Sequence, residues 1–144
     1  MLSYQAEQAA DDWRGSPAPP RRVLVVDDNV GSAQMMSIML TKFWKHDVRV
    51  AHDGQQALEI AQTHRPDVVF LDIGLPIISG YEVAKLLREN PEFHQTLLVE
   101  LTGYDEEEDR RRVQEAGFDE HLVKPASAGS LQQLFVHPKL GRGE

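Results

Sequence analysis

Cysteine is absent from this chain of 144 residues. Its absence excludes a disulfide scaffold, a thiolate metal site and a cysteine nucleophile, and it fits a reducing compartment. Basic residues are in deficit, with 15 Lys and Arg against 23 Asp and Glu and a formal net charge of −8. So acidic a chain repels phosphate backbones, which argues against nucleic-acid binding. No apolar stretch approaches the roughly 20 residues a membrane helix needs. Met1 to Asp12 has neither the basic start nor the apolar centre of a secretory signal. The expectation is a cytoplasmic protein without membrane insertion. No Gly-x-Gly-x-x-Gly follows the first apolar run, so the dinucleotide-binding signature is missing too.

What is present suffices for one domain with a single core, since 41% of the residues are hydrophobic. The chain is organised around Val68-Val69-Phe70-Leu71-Asp72. Four apolar residues without polar alternation read as a strand buried on both faces. The run stops at an acid and enters the loop signal Ile73-Gly74-Leu75-Pro76. Ligands of open parallel sheets bind at the carboxyl ends of the strands, which puts Asp72 at the mouth of a site.

Residues 1–20 are polar and end in Ser16-Pro17-Ala18-Pro19-Pro20, the mark of a flexible tail or linker. Val23 to Val26 is the first strand, ending in Asp27-Asp28-Asn29, and Val30 to Trp44 has the apolar spacing of a helix. Val48 to Ala51 is a second strand, Gln55 to His64 a helix, and Val68 to Leu71 the third strand. Tyr81 to Glu89 is the next helix, and Leu97 to Thr102 the fourth strand. Asp105 to Ala116 is a charged helix in which Glu106, Glu107 and Glu108 stand four residues before Arg110, Arg111 and Arg112. Phe118 to Val123 is the fifth strand, leading to Lys124-Pro125, and Ser127 to Phe135 the last helix. Residues 21–136 form the domain, and 137–144 are read as a C-terminal tail. Five successive βα units mean an α/β fold: a flavodoxin-like, doubly wound parallel sheet in the order 2-1-3-4-5.

All parallel strands end on one edge, so Asp27, Asp28, Asp72, Thr102 and Lys124 should converge. Three carboxylates together repel unless a cation joins them, and oxygen ligands without histidine or thiolate favour Mg²⁺. Lys124 adds a point charge for an anion and Thr102 a hydroxyl. The set suits a phosphoryl group delivered to the Asp72 carboxylate, with cations offsetting the transition-state charge.

Four motifs then carry a family resemblance: Val-Val-Asp27-Asp28-Asn29, Leu71-Asp72-Ile-Gly-Leu-Pro76-Ile-Ile-Ser-Gly80, Leu101-Thr102-Gly103 and Leu122-Val123-Lys124-Pro125. In this order and at βα spacing, over about residues 21 to 136, the chain resembles the receiver domain of two-component response regulators. The wording is most similar to receivers attached to hybrid sensor kinases. The resemblance implies that Asp72 accepts the phosphoryl group. It implies Mg²⁺ held by Asp28, Asp72 and the Gly74 carbonyl, with Asp27 acting through water. Lys124 would bind the phosphoryl group, Thr102 would move to hydrogen-bond it, and Lys124-Pro125 would be cis. The donor would be a histidine kinase or a histidine phosphotransfer protein. The output face, and a homodimer surface, would be the fourth helix, fifth strand and fifth helix. Such a module catalyses only its own phosphorylation and dephosphorylation, and is not an enzyme with an external substrate.

Three departures stand out. His121 occupies the place of the family's usual switch aromatic, beside Thr102 as the second switch position, and is read as a packing histidine in preference to a pH-sensitive one. Glu100, where a small or apolar residue is usual, shares a strand face with Thr102; it is either partly buried or paired with a cation. Gly74 and Tyr104 sit where the family tunes the lifetime of the phosphorylated state. His46, His52, His64, His94 and His137 are read as surface or loop residues. Two rivals remain: a degenerate receiver serving as a constitutive interaction domain, against which the intact acid pair, acceptor and lysine count; and an aspartyl-nucleophile phosphatase, which lacks its second Asp because Gly74 stands there. About 20 residues follow Pro125, too few for a DNA-binding domain; the chain is read as a stand-alone receiver or one excised from a larger protein.

Overall fold

The computed structural model describes residues 19–103 and 110–141. Five strands alternate with five helices: β1 (Arg22–Val26), α1 (Val30–Trp44), β2 (Asp47–Ala51), α2 (Gly54–His64), β3 (Val68–Asp72), α3 (Gly80–Glu89), β4 (Leu97–Gly103), α4 (Arg110–Ala116), β5 (Glu120–Lys124) and α5 (Ala128–Leu134). The strands form one parallel sheet in the order β2-β1-β3-β4-β5, as the sequence predicts. The sheet has a core on each side. Val23, Val25, Phe70, Val99 and Leu101 pack against Ala33, Met36 and Leu40 of α1 and Leu131 and Leu134 of α5. Leu24, Val26, Val69, Leu71 and Leu98 pack against α2, α3 and Ala116 of α4. Central β3 is buried at all five positions, which is why its sequence shows no polar alternation.

Side-chain caps start the helices where the strands have ended. Asn29 accepts from the Ser32 amide, Asp53 from Gln56, Ser79 from Glu82 and Ser127 from Ser130. Each such cap contributes about 1 kcal/mol. All four caps lie on loops at the carboxyl edge, just past the strand ends, so helix initiation and site assembly share one set of loops.

Some boundaries differ from the expectation. β5 runs from Glu120 to Lys124 rather than from Phe118. Gly117 turns the chain at a φ of 94°, and Phe118 leaves the strand to meet the Tyr81 ring edge-on at 6.5 Å. Asp119 still donates its amide to the Leu98 carbonyl at 2.9 Å, and its carboxylate accepts from the Leu98 amide, Arg88 Nη2 and Lys139 Nζ. Arg88 further donates to the carbonyls of Gly117, Phe93 and Thr96, tying α3 to the lead-in of β5. Packing continues into the stretch read as a C-terminal tail. Pro138–Leu140 forms a 3₁₀ turn with Leu140 buried, and its carbonyl accepts from Arg21 Nη2 at 2.7 Å. The pairs Glu106–Arg110, Glu107–Arg111 and Glu108–Arg112, and Tyr104, involve residues outside those described. Arg112 is placed with its guanidinium 4.1 Å from the Tyr81 ring centre.

His46 and His64, read as surface or loop residues, are both buried; His46 does lie in the loop between α1 and β2, whereas His64 ends α2. His64 Nε2 lies 3.2 Å from the Val23 carbonyl and 3.1 Å from that of Asp47, so it carries the hydrogen they share. The His46 ring stacks on Phe135 at 4.1 Å, and its Nδ1 accepts the Arg21 amide at 2.9 Å. Burial, reinforced by the Arg21 guanidinium, lowers the His46 pKa to about 4. The unfolded chain takes up this proton near pH 6.5 and the folded one only near 4. Stability is therefore full above pH 6.5 and falls as the pH drops towards 4, by up to about 3 kcal/mol from this group. Urea denaturation across that window checks it. His46→Asn, which keeps an acceptor for the Arg21 amide, is expected to flatten the slope; a slope equal to that of the native chain would refute the assignment.

Candidate functional site

The carboxyl edge gathers the expected residues. β1 pairs with β3 through Val26 and Leu71, so Asp27 and Asp72, each one residue further, end side by side. Asp27 and Asp72 are buried and Asp28 is exposed. One carboxylate oxygen from each of the three lies within 4.8 Å of the others. Lys124, at the end of β5, reaches across the edge. Its Nζ stands 3.0 Å from Asp27 Oδ2 and 3.3 Å from Asp72 Oδ2. The remaining oxygens have backbone donors: the Asn29 amide gives 3.0 Å to Asp27 Oδ1, and the Gly74 amide 2.9 Å to Asp72 Oδ1. Here Gly74 is seen through its amide. Lys124-Pro125 is cis, as the resemblance implies.

These contacts separate the two buried acids. Burial pushes the Asp27 carboxyl up, but the Asn29 amide and Lys124 together outweigh it and leave the pKa below the ordinary value. At Asp72 burial prevails over the Gly74 amide and Lys124, and the Asp27 charge adds to it, so the pKa is raised. Burial pulls Lys124 down, yet the two carboxylates outweigh that and raise its pKa, which keeps it cationic. Three carboxyl groups face a single ammonium at the mouth. A hard divalent cation fits this donor set, which offers oxygens only and comes partly desolvated.

Thr102 is buried one residue beyond Leu101, the register partner of Asp72. Glu100 shares its face and is buried, at 0% exposure. His121 is the register partner of Glu100. It does not pack, contrary to expectation: β5 is an edge strand, and the His121 side is open. A groove beside it is lined by Leu122, Val123, Leu134 and Val136, between β5 and α5.

Sequence reasoning missed three features of this edge. His52 was grouped with loop histidines, but its Nδ1 is 3.0 Å from the Asp27 carbonyl oxygen. The signal was available in its position, since it directly follows the strand beside β1. Gly80 lies against the backbone of Asp72, a closeness its sequence neighbours do not announce. Ile77 is 98% exposed with a φ of 68°, a left-handed conformation that costs a β-branched residue about 1–2 kcal/mol.

Comparison with known proteins agrees with this geometry. The sequence profile described as the response regulator receiver domain matches residues 23–135. The polar-differentiation response regulator DivK of Brucella anthropi is 30% identical over 108 residues, 75% of this chain and 87% of that protein. Some relatives are longer: the chain spans 43% and 47% of the length of two transcriptional regulators, from Bacillus subtilis and Mycobacterium tuberculosis. The chemotaxis response regulator CheY4 of Vibrio cholerae superposes with a TM-score of 0.73 at 31% identity, over 81% of this chain and 97% of that one. The receiver domain of a sensor histidine kinase from Pseudomonas aeruginosa, solved with magnesium coordinated in its active-site cleft, gives a TM-score of 0.72 at 27% identity, over 81% and 94%. With an acid cluster and lysine at the carboxyl edge of a 2-1-3-4-5 sheet, and this match across the whole sheet, the chain belongs to the response regulator receiver family.

Proposed function

We propose that this chain is a phosphoacceptor module of a phosphorelay, receiving a phosphoryl group from phosphohistidine on Asp72. The observation that carries the reading is the convergence of Asp27, Asp28, Asp72 and Lys124 on one strand edge. An Asp72 oxygen forms the new bond to phosphorus. The P–N bond breaks, and its electron pair stays on the donor imidazole. Lys124, already 3.3 Å from Asp72, follows the phosphoryl oxygens and offsets part of their charge. Thr102 donates its hydroxyl to the same group. Asp27, Asp28 and Asp72 would hold Mg²⁺, together with Gly74. When bound, the ion supplies charge that draws the phosphoryl oxygens in and screens the carboxylates from one another. The magnesium seen in the Pseudomonas aeruginosa receiver cleft supports that choice of ion.

The donor is a histidine kinase or a histidine phosphotransfer protein, and the setting is cytoplasmic. No helix among the described residues is long and apolar enough to cross a membrane. The module turns over only its own phosphoryl group. The groove between β5 and α5, with Val123 and Val136 exposed, supports an output or dimer surface there.

Incubation with acetyl phosphate, followed by intact mass, tests the reading. One phosphoryl group is expected with Mg²⁺ and none in EDTA, and borohydride trapping should map it to Asp72. A folded chain that gains no adduct and forms no beryllofluoride complex would instead be a constitutive interaction domain.

A further inference from the structure

His52 follows β2 directly, and its ring reaches the end of β1. A carbonyl oxygen only accepts, so the Nδ1 that stands 3.0 Å from the Asp27 carbonyl carries the hydrogen. The place of this bond matters. The β1–β2 register ends at Val26 with Ala51, and Asp27 adds one amide bond to the Ala51 carbonyl at 3.0 Å. Its own carbonyl lies past that register and belongs to the peptide that leads into Asp28. His52 holds that peptide, while Asn29 and Lys124 hold the Asp27 side chain.

The base from which His52 acts is stiff. Its backbone amide donates to Gln56 Oε1 at 2.8 Å, and Asp53 caps α2 through the Gln56 amide at 2.8 Å. Gly54 is pressed against α3 and its loop: a Cβ there would stand 2.9 Å from Val83 Cγ2 and 3.1 Å from the Ile78 carbonyl.

We propose that His52 is a positioning residue for the metal site, fixing the Asp27–Asp28 peptide so that the exposed Asp28 carboxylate stays with Asp27 and Asp72. Asp28 is the one exposed member of the cluster and has the most conformational freedom to lose on binding a cation. A hydrogen bond that orders its backbone beforehand lowers that loss, as outer partners of metal ligands do. This inference rests on the metal-assisted reading above.

Calorimetric Mg²⁺ titration of the native chain, His52→Phe and His52→Asn tests it, with thermal midpoints recorded in EDTA. Phenylalanine keeps a ring and loses the donor; asparagine places an amide nitrogen as far along the side chain as Nδ1. The Mg²⁺ dissociation constant is expected to rise about tenfold in His52→Phe and to stay within about threefold of native in His52→Asn. Ring ¹⁵N spectra of the native chain should show the Nδ1–H tautomer. Unchanged affinity in His52→Phe, an equal loss in both variants that tracks their midpoints, or an Nε2–H tautomer would each overturn the assignment while leaving the phosphoacceptor reading intact. A native chain that binds no Mg²⁺ would overturn both.

Discussion

Asp72→Asn is expected to take up no phosphoryl group from acetyl phosphate while becoming more stable than the native chain in EDTA. The first half follows from chemistry: an amide has no anionic oxygen to form the acyl phosphate, and neither Asp27, held by Lys124 and Asn29, nor exposed Asp28 stands in its place at the end of β3. The second half follows from burial. The folded-state pKa of Asp72 lies above its unfolded value, chiefly because the carboxyl is buried and next because Asp27 lies beside it, against the Gly74 amide and Lys124. The unfolded carboxyl therefore ionises first. Stability falls as the pH rises past the unfolded value and the loss is complete above the raised pKa, while below the unfolded value nothing is lost. Asparagine removes that charge, keeps an oxygen for the Gly74 amide at 2.9 Å, and leaves Lys124 its 3.0 Å partner Asp27. Intact mass reads the adduct, and urea denaturation at pH 7 and pH 3 reads the stability. A gain at pH 7 that vanishes at pH 3 is the expected pattern; a loss at pH 7 would show that the Lys124–Asp72 contact outweighs the burial of the acid.

Sheet order and most of this site could be read from the sequence because both are written in the same places. Unbroken apolar runs such as Val68 to Leu71 can only be buried on both faces, and parallel strands bring whatever follows them to one edge. Asp27 and Asp28 follow the run Val23 to Val26 and Asp72 the run Val68 to Leu71, while Thr102 and Lys124 close strands that Glu100 and His121 interrupt. Strand alternation also put Glu100 on the face of Thr102, though it left open whether the acid was buried or paired. The misread residues owe their places to partners distant in sequence. His46 is buried by Phe135 and His64 by carbonyls of two strands, while His52 lies in a loop as read but bonds a residue 25 positions earlier. His46 and His52 lie in no apolar pattern, whereas His64 continues the buried stripe of Ala57 and Ala61 on α2, a periodicity that its polar ring concealed. His121 failed the other way: a family position that usually packs lies here on an open edge strand.

Gly80 and Gly129 make the same contrast measurable with one kind of substitution. Both lie in the first turn of a helix, where Gly→Ala alone favours the helix by up to about 1 kcal/mol. Gly129 of α5 is exposed, and a Cβ there meets nothing within 4 Å. Gly129→Ala is therefore expected to stabilise the chain by about 0.5–1 kcal/mol and to leave phosphoryl uptake unchanged. At Gly80 a Cβ would collide with the Asp72 carbonyl oxygen and stand 2.7 Å from Ile73 Cα. Both are backbone atoms at the end of the buried central strand, so no side chain can swing aside. The Gly80 amide also donates to the Ile73 carbonyl at 3.3 Å, which closes the loop from the acceptor back onto α3. Overpacking against backbone costs about 1–3 kcal/mol or more, which offsets or exceeds the gain in helix propensity. The strain falls on the acceptor's own peptide, so Gly80→Ala should lose phosphoryl uptake even where enough chain stays folded to measure it. Denaturation midpoints and adduct yields of the two variants, taken side by side, decide the matter. Equal stabilities would mean that the β3–α3 loop yields freely, and that the position of Asp72 is set by its strand rather than by the close packing of α3.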